Sequence, residues 1–181
     1  MLKEFYFIRH GQTDANLNRF MAGGKMDIPI NQTGLEQARQ ASLKLSEIVP
    51  RMGAICTSPM TRAKQTARMF SAVYDCKIVT IEELREWDIG EWEGVPFHTI
   101  ESAFFGSEDP PGGETRAAFR ERVRLGLQSS AQHPGPHLLV GHGGVWRAIQ
   151  EALEMVPMRL HNCVPLRVFI NADEKWVFEE I

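Results

Sequence analysis

The chain has 181 residues, 43% hydrophobic and 24% charged, with a formal net charge of −3. A chain of that length buries about 70% of its unfolded surface as one domain, so it needs no disulfide or metal staple. Mild acidity, with no run of five basic residues, argues against nucleic acid or acidic membrane as a partner, because such binding rests on neutralising phosphates. Cys56, Cys76 and Cys163 are odd in number and form no Cys-x-x-Cys, which fits a reducing compartment. The first apolar run is only four residues long, so neither a signal peptide nor a membrane span is expected, and the protein is expected to be cytoplasmic.

Along the chain, FYFI (5–8) reads as a buried strand that ends abruptly in Arg9-His10-Gly11. Leu35, Ala38, Ser42, Leu45 and Val49 recur at helical spacing, and Thr33-x-x-Glu36 predicts a capping box at their start. AICT (54–57) is the next strand. Met60, Ala63, Ala67 and Phe70 form a second helical stripe, with Ser58 expected as N-cap and Pro59 at the first helical position. KIVTI (77–81) follows. Residues 90–115 are rich in Gly, Pro and acids; they predict an excursion over the site with a short helix around 97–105. Phe119, Val123, Leu127 and Ala131 give a third stripe, LLVG (138–141) a strand, and Val145, Ile149, Ala152 and Val156 a fourth stripe. RVFIN (167–171) and WVFEEI (176–181), separated by Ala172 to Lys175, predict an antiparallel hairpin at a sheet edge. Alternating strands and helices predict an α/β fold, a three-layer αβα sandwich with a largely parallel central sheet.

Three polar motifs share one position in this pattern. Arg9-His10-Gly11, Ser58 to Arg62, and His142-Gly143-Gly144 each follow a strand. Ligands of open α/β sheets bind outside the carboxyl ends of the strands, so all three motifs project to one edge. Arg9 and Arg62 are permanent cations with fork geometry for phosphate or carboxylate. His10 and His142 can donate hydrogen bonds, and one can be a neutral nucleophile. Gly11, Gly143 and Gly144 let backbone N–H groups approach an anion at a helix start.

Two other chemistries compete at this edge. A zinc site could use both histidines with Asp27 or Glu86, but no local ligand spacing such as H-E-x-x-H is present, and two arginines would repel a cation. Cys56 and Arg62 have the separation found in cysteine-dependent phosphatases. Such a loop must point successive N–H groups at phosphate, whereas Pro59 has none and the loop lacks glycine. The simpler expectation is a buried Cys56 at the strand end.

Together, FIRHGQTDAN, TSPMTRAKQT, LREWDIGEWEG and LLVGHGG resemble the histidine phosphatase superfamily, in the branch of cofactor-dependent phosphoglycerate mutases and related phosphatases. MDIPINQTG also matches the family's D-x-P-L-x-x-x-G, with Ile30 in place of Leu. The resemblance implies that His10 becomes phosphorylated, that Arg9, Arg62, His142 and Asn16 hold the phosphoryl group, and that Glu86 is the proton donor. It implies a reaction without metal or other cofactor, on a small phosphorylated metabolite. Family mutases are usually longer, and GEWEG looks more like the phosphatase members, so hydrolysis is the expected outcome. Mutase activity and a noncatalytic phosphate-binding module are the alternatives. Arg19, Phe20, Lys25, Phe97, His98, Phe104 and Phe105 are candidates to touch the rest of the substrate, although aromatics at 97, 104 and 105 equally suit a helix core.

Overall fold

Every residue of FYFI is apolar, which suits a strand covered on both faces. In the computed structural model, which describes residues 2–181, this segment is β1 (Glu4–Arg9). Side chains alternate across a strand. Phe5 and Phe7 therefore enter one core cluster, and Tyr6 and Ile8 enter the other. The chain continues through a one-turn helix α1 (Asp14–Leu17), α2 (Gln32–Ile48), β2 (Ala54–Thr57), α3 (Thr61–Tyr74) and β3 (Ile78–Thr80). Short 3-10 turns at 82–84 and 90–92 lead to α4 (Phe97–Phe105), followed by α5 (Arg116–Ser130), β4 (His137–Gly141), α6 (Gly143–Ala152), β5 (Leu166–Ile170) and β6 (Trp176–Glu180).

The sheet order is β3-β2-β4-β1-β5-β6. β1 to β4 are mutually parallel, and β5 and β6 add an antiparallel edge. Helices α2 and α3 cover one face through Ala38, Leu45, Ala63, Ala67 and Phe70. Helices α5 and α6 cover the other through Phe119, Val123, Val145 and Ile149. The three-layer α/β reading holds, including the edge hairpin.

Some boundaries differ from expectation. The cap of α2 is Asn31, whose side chain accepts from Gly34 N at 2.9 Å. Thr33 lies inside the helix, because Asn31, two residues earlier, already accepts from the Gly34 amide. Helix α3 begins at Thr61, not at Pro59, and Ser58 does not cap it. Asp27 does so from a distant loop, accepting from Thr61 N at 2.7 Å and Thr61 Oγ1 at 2.8 Å. Helix α6 stops at Ala152, so Val156 lies beyond it and is 77% exposed. Among the described residues, no helix is long and apolar enough to cross a membrane.

The loop after β1 packs backbone to backbone on the start of α2. A Cβ on Gly34 would overlap Gln12 O and lie 2.7 Å from Gln12 N. In an unobstructed helix Gly→Ala stabilises by about 1 kcal/mol. Here the overlap should reverse the sign, with Gly34→Ala costing about 1–3 kcal/mol. Urea denaturation checks this, and a midpoint equal to or above that of the parent would show that the close approach is not needed.

Candidate active site

Register brings the three motifs together. Arg9 pairs with Gly141, and Thr57 with Val140, so His10, Ser58 and His142 emerge one step later at the same edge. The ladder carries on into them: His10 N donates to Gly141 O and Ser58 N to Val140 O, both at 3.0 Å. The two imidazoles then stand edge to face with centroids 5.1 Å apart.

His10 is buried, and its Nδ1 bonds Gly11 O at 2.7 Å. A carbonyl only accepts, so Nδ1 carries the proton and Nε2 keeps a lone pair while the ring is neutral. Neutrality is enforced from outside. Burial, then Arg62 and Arg9, push the His10 pKa well below 6.5, with the bond to Gly11 opposing. His142 is lowered in the same way by burial, Arg62, His10 and Arg9. Its Nε2 bonds Ser58 Oγ at 2.7 Å, while Nδ1 is buried with no partner among the described residues.

The two arginines are seated on carbonyls. Arg9 Nη1 donates to Leu160 O at 3.0 Å, and its buried Nε has no partner among the described residues. Arg62, 2% exposed, donates to Met26 O at 2.9 Å and Gly23 O at 2.8 Å. Neither forms an ion pair among the described residues. Burial lowers the pKa of each, and Glu86 is the leading opposing influence on both, so this carboxylate lies near both cations. The carbonyls that seat Arg62 are held in turn. Glu93 accepts from Lys25 N and Met26 N, Gln65 accepts from Ile30 N, and Ile30 itself is buried. The Asp27 to Gly34 motif thus anchors the loop around Arg62, with Asp27 committed to the start of α3.

Glu86 is fixed by two backbone donors, Trp87 N to Oε1 at 2.9 Å and Gly144 N to Oε2 at 3.1 Å. The second comes from the first turn of α6, where a Cβ on Gly144 would overlap the carboxylate. Gly143 opens the same helix, where a Cβ would lie 3.8 Å from Arg9 Nε. Asn16 sits in α1, where its Oδ1 accepts from Thr13 N and Asn162 Nδ2, each at 3.2 Å. All the candidate site residues therefore converge on one strand edge. Cys56 is fully buried inside β2, and burial raises its thiol pKa.

The candidates for the rest of the substrate occupy a second layer. Phe97 N donates to Arg19 O and Met21 N to Val95 O, and Phe20 pairs with Pro96. The segment after α1 is thereby joined to the start of α4. Lys25 is paired with Asp88 at 3.0 Å. Phe97, Phe104 and Phe105 contact one another edge-on, but no residue of α4 is fully buried. Phe104, with Ile100 and Ala103, packs partly buried against the core and Trp87, whereas Phe105 is exposed, and Arg147 lies over both rings. His98 is exposed. Arg159, which sequence reading passed over, lies 6.0 Å from the Phe97 ring. Sequence reading also missed Ser58 as the partner of His142, as well as Leu160 and Asn162, which belong to no motif.

Two buried neutral histidines make the fold itself a proton-linked equilibrium. Their folded pKa values lie below the unfolded value, so the unfolded chain binds more protons and stability rises with pH. The ligand-free protein should lose stability from about pH 7.5 to about pH 5.5, above the range of ordinary carboxylates. Urea titrations at both pH values test this, and a flat profile would mean that the fold does not hold the pair neutral.

Known proteins resemble this chain in sequence and fold. The model of the histidine phosphatase superfamily (branch 1) matches residues 5–169. The chain is 32% identical over 176 residues to a protein of Bacillus subtilis named uncharacterized phosphatase PhoE, covering 93% of this chain and 89% of that one. It is 30% identical over 186 residues to the probable phosphoglycerate mutase GpmB of Proteus mirabilis, covering 91% and 84%. A solved mycobacterial glucosyl-3-phosphoglycerate phosphatase in complex with VO3 superposes with a TM-score of 0.78 at 25% identity, covering 99% and 97%. With matching motifs, matching architecture and a family model spanning most of its length, the chain belongs to the histidine phosphatase superfamily, branch 1.

Proposed function

We propose that the protein is a metal-independent phosphatase that hydrolyses a small-molecule phosphomonoester through phosphohistidine at His10. The observation that carries this reading is the seating of Arg9 and Arg62 on carbonyl oxygens beside a neutral His10. Their positive charge is left for a phosphoryl group, while the nucleophile beside them keeps its lone pair.

In the first step, His10 Nε2 attacks phosphorus, the ester P–O bond breaks, and Glu86 gives its proton to the departing alkoxide. In the second, Glu86 takes a proton from water, the oxygen attacks phosphorus, and the P–N electrons return to Nε2. Arg9, Arg62 and His142 meet the three equatorial oxygens, with Asn16 and the Gly143 end of α6 beside them. In this reading the hydroxyl of Ser58, whose oxygen accepts from Met60 N at 3.3 Å, gives its proton to the 2.7 Å bond with His142 Nε2, which leaves the ring proton on Nδ1, the nitrogen otherwise without a partner.

The resemblance to the Proteus mutase supports a second reading, transfer between positions of phosphoglycerate. A panel of phosphomonoesters, including glucosyl-3-phosphoglycerate and phosphoserine, assayed with and without mutase substrates, separates the two. Rapid quenching with labelled substrate should trap an acid-labile, alkali-stable phosphoenzyme that His10→Ala abolishes. Cys56→Ser should leave turnover nearly intact, and a dead Cys56→Ser with a phosphorylated His10→Ala would overturn the assignment. EDTA should not reduce activity, and vanadate should compete with substrate.

Glu86→Gln tests the acid. General acid catalysis contributes about 10²–10⁴-fold when the leaving oxygen is strongly basic. Single-turnover phosphoryl transfer should therefore fall by that order for alkyl phosphates and far less for activated aryl phosphates. Equal losses would assign Glu86 to positioning, not to proton transfer.

A further inference from the structure

The loop from Leu160 to Cys163 touches the site from behind. Leu160 O accepts from Arg9, and Cys163 N donates to Arg9 O at 3.0 Å. Cys163 has φ +54, a left-handed conformation uncommon for a residue with a Cβ. Between them, Asn162 Nδ2 donates to His10 O at 2.7 Å and to Asn16 Oδ1 at 3.2 Å.

The polarity of these contacts matters more than their number. A side-chain amide has two ends of nearly equal size, one donating and one accepting, and its surroundings decide which faces a ligand. Thr13 N and Asn162 Nδ2 both donate to the oxygen end of Asn16. Its NH2 end makes no hydrogen bond among the described residues, and it is the end an oxyanion requires. Asn162 is itself oriented, because the carbonyl of His10 can only accept. A fixed order of donor and acceptor therefore runs from the nucleophile's own backbone through Asn162 to Asn16.

We infer that Asn162 is a positioning residue that holds Asn16 with its donor end toward the phosphoryl group, in register with His10. This inference rests on the phosphatase reading of the pocket. Without Asn162, Asn16 keeps one donor on its oxygen and is free to turn the wrong end toward the anion.

A double-mutant cycle read by calorimetric titration with vanadate tests this without turnover. Asn16→Ala and Asn162→Ala should each weaken vanadate binding roughly tenfold, the scale of one hydrogen bond to a charged group. If Asn162 acts through Asn16, adding Asn162→Ala to Asn16→Ala should weaken binding by less than about threefold. Equal loss in both backgrounds, or no loss in Asn162→Ala alone, would overturn the inference. Should Asn162→Ala fail to fold, Asn162→Asp keeps the volume but has no donor. It should turn the Asn16 amide and bind vanadate more weakly than the parent, whereas affinity equal to the parent would again overturn the inference. Failure of the parent protein to bind vanadate would sink the phosphate-site reading itself, a result distinct from additivity in the cycle.

Discussion

Two guanidinium groups buried on neutral partners are the constraint around which the rest of the structure is arranged. A buried cation is normally tolerated because a carboxylate cancels it. Arg9 and Arg62 donate instead to the carbonyls of Leu160, Gly23 and Met26, and Arg9 Nε keeps no partner among the described residues. A carbonyl answers the N–H groups without cancelling the charge, so a positive field persists under the strand ends. That field and burial together keep His10 and His142 neutral. The same features that cost stability in the empty protein leave a positive field beside a neutral His10.

Several loops exist in their observed shapes to serve this seating. The 23–30 segment is held by Glu93, Gln65 and Asp27, which together keep two carbonyls aimed at Arg62. Asp27 also supplies the cap that α3 lacks locally. Ser58, released from capping, is available to His142. The start of a helix is thereby connected to the orientation of the His142 imidazole. On the other flank, the start of α6 holds Glu86 through Gly144 N, tying the carboxylate to the loop that carries His142.

Much of this was legible in the sequence because the legible parts were side chains. Apolar periodicity located the strands and four long helices, and strand-end placement predicted that Arg9, His10, Arg62 and His142 would meet. What escaped reading was backbone chemistry. Any residue offers a carbonyl, so neither Leu160 nor Met26 announces that it seats an arginine. The capping errors have a similar origin: Thr33 and Ser58 had the right chemistry, but Asn31 and Asp27 had the right geometry, and Asp27 acts from far away in the chain. Asn162 was invisible for want of a motif, because its role depends on Asn16 and His10 being adjacent in space. The aromatics of α4 were ambiguous between core and surface because the helix does both, with Phe104 packed on Trp87 and Phe105 exposed.

Seating a cation on backbone oxygens also bears on how such a protein can diversify. The side chains of Met26 and Leu160 play no part in holding Arg62 or Arg9, since the oxygens they lend are common to every amino acid. Mutation at exposed Met26 can therefore change the rim of the pocket without unseating Arg62, whereas Leu160 is buried in the core and held there by its packing. Gly23 is the exception, because a Cβ there would overlap the Glu93 carboxylate that holds the loop, at a φ of +57 that side-chain-bearing residues adopt uncommonly. Under the proposed phosphatase reading, a charged floor separated in this way from the identity of its surrounding side chains would let one scaffold acquire new substrates through changes in the rim alone.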